Sequence, residues 1–169
     1  MGSIVEIVMT KDDFFLIVNE AMRLGRQQAR FAQKDTKRRL EKEQVLRERL
    51  AGNLELLEEY KEFGPRAKRS VIRFSSSGSR LSKDDILDGL IRQTESEIAY
   101  DEEELEKIKD MKEAVSADEF FPVIEGRYTK RLTDEQIAEE LHRDPRTIQR
   151  HRQRLIEDMA IWLHGEIAL

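Results

Sequence analysis

The stretch that decides the fold is residues 133–163, which read TDEQIAEELHRDPRTIQRHRQRLIEDMAIWL. Thr133 precedes two acids, and this favours a helix start because the hydroxyl can cap free amides while the acids match the positive end of the helix dipole. Asp144 and Pro145 mark a second start, since Asp caps well and Pro fits the first helical position. The sequence therefore predicts a short helix, a turn and a second helix at 145–163, which is the helix-turn-helix plan.

Apolar residues recur at helical spacing on both predicted helices, and we expect these faces to pack together. They are Ile137, Ala138, Leu141, Ile148, Leu155, Met159 and Trp162. The other face of the second helix is basic, because residues 143–155 hold five Arg against one Asp. Arg and Gln can make paired hydrogen bonds to guanine and adenine edges in the major groove.

This basic face predicts two groups of DNA contacts. The predicted base contacts are Arg146, Gln149, Arg150 and Gln153, and the predicted phosphate contacts are Lys130, Arg131, Arg143, Thr147 and Arg154. The alternative is an ordinary helical hairpin whose basic face is merely solvated.

The stretch EFFPVIEGRY at 119–128, followed by the two predicted helices, resembles a known family. Residues 117–167 are similar to phage late-transcription regulators of the ArpU and RinA type, whose C-terminal part is like the promoter-reading region 4 of bacterial sigma factors. The resemblance implies binding to promoter DNA and action with host RNA polymerase in the bacterial cytoplasm. In this chain His142 stands where the family turn usually has Gly, the residue that adopts a positive φ without strain.

The residues that precede this segment favour long helices. From Lys11 to Phe63 there is no Pro and there are only two Gly, and apolar residues recur every three or four positions. Those stripes are Phe14, Val18 and Met22, then Leu46, Leu50, Leu54 and Leu57. Asp35 could cap a restart, so one bent helix and two helices both fit. Gly64-Pro65 ends the pattern, because Pro lacks an amide donor.

Residues 64–81 are small, polar and basic, which is typical of a flexible linker. Ser82 is a good N-cap for a helix at 82–115. Two series in that helix repeat every seven residues and predict an apolar seam that is interrupted by Thr94 and Asp101. They are Ile91, Ile98 and Leu105, and Thr94, Asp101, Ile108 and Val115. The stripes fit either an antiparallel hairpin or a coiled-coil dimer.

Charge is segregated along these helices. Residues 23–49 hold ten basic and four acidic side chains, whereas residues 82–115 hold five basic and twelve acidic ones. We expect the basic helix to pair with the acidic one, and the alternative is a basic arm held free for the DNA backbone. The predicted segments are thus 1–63, 64–81, 82–115 and a DNA-binding domain at 116–169.

Composition narrows the function classes. Of the 169 residues, 38% are charged and 38% are hydrophobic, and the net charge is −5. The chain has no Cys, which excludes disulfides and thiolate zinc sites. No apolar run approaches the roughly 18 residues that would suggest a membrane span. We predict an all-α chain with no catalytic residue, no metal and no cofactor, which forms a homodimer through its long helices. The alternatives are a small terminase-like DNA-recognition subunit and a coiled-coil adaptor that binds no DNA.

Overall fold

The computed structural model describes residues 11–63 and 83–165, and every regular element in these ranges is helical. The helices are α1 (Lys11–Phe63), α2 (Lys83–Glu113), α3 (Phe121–Ile124), α4 (Asp134–Leu141) and α5 (Pro145–His164), with a π-helical turn at Glu125–Thr129 after α3. The prediction of an all-α chain with long helices is confirmed. The linker 64–81 and the Ser82 cap lie outside the described residues. None of the described helices is long and apolar enough to cross a membrane.

α1 is one continuous helix, so Asp35 lies inside it and starts no second helix. Even so, the chain divides into two compact units within α1. One unit joins Met1–Arg38 to Ala114–Leu169, and the other is Arg39–Glu113. The N-terminal part of α1 therefore belongs with α3, α4 and α5, a grouping that sequence periodicity alone does not express.

In the unit at Arg39–Glu113, α1 and α2 run antiparallel. Ion pairs join Arg39 to Glu104, Arg49 to Asp101 and Lys61 to Glu95, so position rises on α1 as it falls on α2. Of the two predicted arrangements, α1 and α2 therefore form the antiparallel hairpin. Its ion pairs join basic residues of α1 to acidic residues of α2. The buried apolar side chains of this unit are Leu40, Leu46, Tyr60, Ile98, Ile108 and Met111.

Polar residues interrupt the α1–α2 seam at the two predicted positions. Thr94 is buried, and its hydroxyl donates to the carbonyl oxygen of Leu90 at 2.9 Å. Asp101 is fully buried and accepts hydrogen bonds from Nε of Arg49 at 2.7 Å and from its Nη2. Arg49 itself is 48% exposed, so water reaches one partner of this pair and not the other.

This asymmetry predicts unequal costs for removing the two partners. Arg49→Met leaves a buried carboxylate unpaired and should lower the free energy of unfolding by roughly 3 kcal/mol, the low end for breaking a buried pair because Arg49 is half-exposed. Asp101→Leu leaves an exposed guanidinium and fills the seam with an apolar side chain, so its cost should stay below about 1 kcal/mol. Urea denaturation followed by circular dichroism measures both values. Equal costs, or a larger cost for Asp101→Leu, would contradict this account.

Candidate nucleic-acid interface

Both helix starts that the sequence predicts in the C-terminal segment are present. Thr133 caps α4: its Oγ1 accepts from the amide of Gln136 at 3.3 Å, and the Gln136 side chain accepts from the amide of Thr133 at 2.8 Å. Asp144 caps α5 by accepting from the amide of Arg146 at 2.8 Å, with Pro145 at the first helical position. These caps fix where the two helices begin.

The turn between α4 and α5 depends on the backbone of His142, which is left-handed at φ 51° and ψ 46°. The amide of Arg143 donates to the carbonyl of Ala138 at 2.9 Å, and the amide of His142 donates to that of Glu139 at 3.3 Å. This pair of hydrogen bonds is the Schellman arrangement, in which Gly usually takes the left-handed position. His142 therefore occupies a position that favours Gly on conformational grounds.

The apolar faces of α4 and α5 are buried for the most part as the sequence predicts. Among their residues, Ile137, Ala138, Ile148, Leu155 and Met159 are buried. Trp162 is the exception, because it is 49% exposed. The expected burial of Trp162 in this face is therefore wrong, whereas Met159, three residues earlier on α5, is fully buried.

The predicted base contacts all lie on the exposed side of α5. Arg146, Gln149 and Arg150 are exposed, and no hydrogen bond or ion pair of their side chains occurs within the described residues. Gln153 is exposed too, but its Nε2 donates to Oε1 of Gln33 on α1 at 3.1 Å and to Glu157 at 2.9 Å. Three of the four side chains are thus open to a ligand, and the fourth joins α5 to α1.

The side chains predicted to contact phosphates differ in whether they already pair with an acid. Arg131 and Arg143 are exposed, and Thr147 is half-buried. Lys130 lies 3.8 Å from Glu140, a weak exposed pair. Arg154 donates to Asp118 at 2.7 Å, so a phosphate would have to displace that carboxylate.

Two contacts that the sequence does not predict hold α5 in place. Arg152 pairs with Asp134 at the start of α4, and the ring of His151 stacks on Phe120 with centroids 3.5 Å apart and planes 5° apart. The basic count of 143–155 treats Arg152 as part of the DNA-facing charge, although its side chain is only 18% exposed. Helical phase separates it from Arg146 and Arg150, and that phase is the signal that could have set Arg152 apart.

Comparison with known proteins adds no constraint on this site. No family model, no curated protein and no solved structure matches the chain. Within the described ranges, no three His, Asp or Glu side chains gather as a metal site would require. The geometry of α4 and α5 is therefore the basis for a functional proposal.

The left-handed turn predicts that His142→Gly raises stability. Gly removes the clash of Cβ with the backbone, which costs roughly 1–2 kcal/mol, while its own chain entropy offsets part of the gain. We expect a net gain of about 0.5–1 kcal/mol, measured by thermal unfolding. His142→Val is the matched control and should destabilise, because a β-branched residue adopts this conformation poorly. A Gly variant less stable than wild type would rule out the turn described.

The stacked ring predicts a pH effect through His151. Burial lowers the pKa of His151 from 6.5, and the charges of Arg154 and Arg150 lower the pKa further. The unfolded chain then binds this proton more readily than the folded one, so stability contributed by His151 is present above pH 6.5 and falls as pH drops through the lowered value. His151→Phe keeps a ring against Phe120 and should lose less stability between about pH 7 and pH 5 than wild type, as read from melting temperatures. Identical pH profiles would contradict the assignment.

Proposed function

We propose that this chain is a sequence-specific DNA-binding regulator of transcription that reads the major groove with the N-terminal half of α5. A short capped helix, a tight left-handed turn and a longer capped helix follow the helix-turn-helix plan. In that plan the first residues of the second helix contact base edges, while the first helix lies across the DNA backbone. α5 begins at Pro145, so Arg146, Gln149 and Arg150 occupy the base-reading positions.

The observation that carries the proposal is the open state of these three side chains. They are exposed on the first two turns of α5, and binding DNA would break no ion pair among the described residues. On a solvated helix face, Arg can be stabilised by an acid three or four positions away, as Arg23 is by Glu20 on α1. Here the first two turns of α5 instead present two Arg and one Gln, the side chains that read guanine and adenine.

Flanking cations provide contacts that position the protein. Lys130 and Arg131 just before α4, and Arg143 in the turn, all precede the start of α5 and are exposed. Thr147 on the first turn of α5 is half-buried and offers a hydroxyl donor. In the proposal these groups bind phosphates and so contribute affinity that carries no sequence information. Arg154 joins them only by exchanging Asp118 for a phosphate.

The kind of promoter that we propose as the target is inferred from the resemblance of residues 117–167 to ArpU- and RinA-type regulators. It supports phage late genes as the target and host RNA polymerase as a protein partner in the bacterial cytoplasm. A homodimer through the long helices completes the proposal, because two copies of α5 would then read two half-sites. A ring-sized oligomer in light scattering would favour the terminase-like alternative instead.

Selection of bound duplexes from a random pool by the full-length chain tests the proposal. We expect an enriched motif of promoter type, and binding to it should fall steeply with salt because phosphate contacts release counterions. No enrichment together with no salt-dependent binding would refute DNA recognition and favour the adaptor alternative.

Arg150→Ala should relax recognition at one base position of that motif and cost about 1–3 kcal/mol of discrimination. Arg92→Ala, which removes an exposed Arg from α2, is the matched control and should leave discrimination unchanged. Competition binding with single-base variants of the motif measures the difference. A specificity profile of the Arg150 variant equal to that of wild type would remove Arg150 from the base contacts.

A further inference from the structure

We propose that α1 forms a second part of the DNA interface, in which Arg26, Arg30 and Lys34 bind backbone phosphates beside the groove that α5 enters. We call these three residues the α1 stripe. This inference rests on the proposed function, since it concerns the same DNA. It adds a contact surface that lies more than a hundred residues from α5 in sequence and outside the helix-turn-helix plan.

α1 packs across α5 within one compact unit. Ala32 and Ala160 are buried against each other, with Ile161 packed beside them. On one side of this contact Gln33 is hydrogen-bonded to Gln153 at 3.1 Å. On the other side Asp35 lies 3.5 Å from His164. These contacts lie between 153 and 164, so α1 crosses the C-terminal half of α5.

α1 crosses the same face of α5 that carries the proposed base contacts. Positions spaced alternately by four and three residues share one face of an α-helix. On α5 this series is Arg146, Arg150, Gln153, Glu157, Ala160 and His164. Its second half faces α1, whereas its first half is exposed. A duplex laid on the first half therefore lies directly beside α1.

The flank of α1 that would meet such a duplex is the one that carries Gln33. Gln33 is the α1 residue that contacts Gln153, the point of this contact nearest the start of α5. Arg26, Arg30 and Gln33 are spaced by four and three residues, so the two Arg share the flank of Gln33. Lys34 lies one turn after Arg30, and all three cations are exposed. The distance along α5 from Gln153 back to Arg146 is only about 10 Å.

The charge of the α1 stripe suits phosphate, and no acid within the described residues pairs with its three cations, whereas Arg39 further along α1 pairs with Glu104. Residues 21–40 contain seven basic side chains and one acidic one, Asp35, which lies next to His164 instead. The side chains of the α1 stripe make no hydrogen bond or ion pair within the described residues. Arg23 differs, because Glu20 holds it through two hydrogen bonds at 2.8 and 2.5 Å, and it is not part of the stripe.

The test is fluorescence anisotropy of full-length protein on the selected duplex and on a random duplex, over a series of salt concentrations. R26Q/R30Q/K34Q should bind both duplexes at least about 10-fold more weakly, and the slope of log affinity against log salt should become shallower by about 2–3, near 0.9 per lost contact. The ratio of specific to random affinity should stay the same, because phosphate contacts do not read sequence. R30Q alone should reduce the slope by about 1.

K42Q/K61Q/R92Q is the matched control, because it removes three exposed cations from the unit at Arg39–Glu113 and changes net charge equally. A slope and affinity for the stripe variant that equal those of this control would overturn the inference while leaving the proposed function intact. Wild-type protein without salt-dependent binding to either duplex would overturn both. Loss of discrimination in Arg150→Ala together with an unchanged stripe variant would restrict the interface to α4 and α5.

Discussion

The arrangement of the C-terminal unit depends on one close contact, between Ala32 on α1 and Ala160 on α5. Both residues are fully buried, at 1% and 0% exposure. Because the distance between packed helices is set by the side chains at their contact, two Ala allow α1 and α5 to approach closely. This approach puts Gln33 within hydrogen-bond reach of Gln153 and Asp35 near His164. A larger side chain at either position would separate the helices and both polar contacts.

Local signals in the sequence predicted the parts of the fold that depend on local chemistry. Thr133 and Asp144 cap their helices because a side-chain oxygen within three residues satisfies a free amide, and this requires no tertiary partner. The seven-residue spacing placed Thr94 and Asp101 in the α1–α2 seam, where both are buried. The exposed position of Arg146, Gln149 and Arg150 follows in the same way from the phase of an amphipathic helix.

The contacts that the sequence did not reveal join residues far apart in the chain. Gln33 and Gln153 are 120 residues apart, and neither is distinguished from other exposed Gln by its neighbours. The stack of His151 on Phe120 and the pair of Arg152 with Asp134 likewise depend on how short elements pack. Helical phase alone also placed Trp162 on the buried face, although its side chain is 49% exposed, because burial depends on which elements pack against that part of α5.

The net charge of −5 is distributed unevenly, because some basic residues pair with acids whereas others, confined to particular faces of α1 and α5, do not. In the unit at Arg39–Glu113, Arg39, Arg49 and Lys112 each pair with an acid on the facing helix, so their charge stabilises the hairpin. In the other unit, Arg26 and Arg30 on α1 and Arg146 and Arg150 on α5 have no such acid among the described residues. Exposed like charges that lie close together repel each other, whereas a charge that faces an acid is stabilised. The acidic net charge is therefore compatible with exposed, unpaired Arg on α1 and α5, because many of the acids lie on α2, which has basic partners on α1.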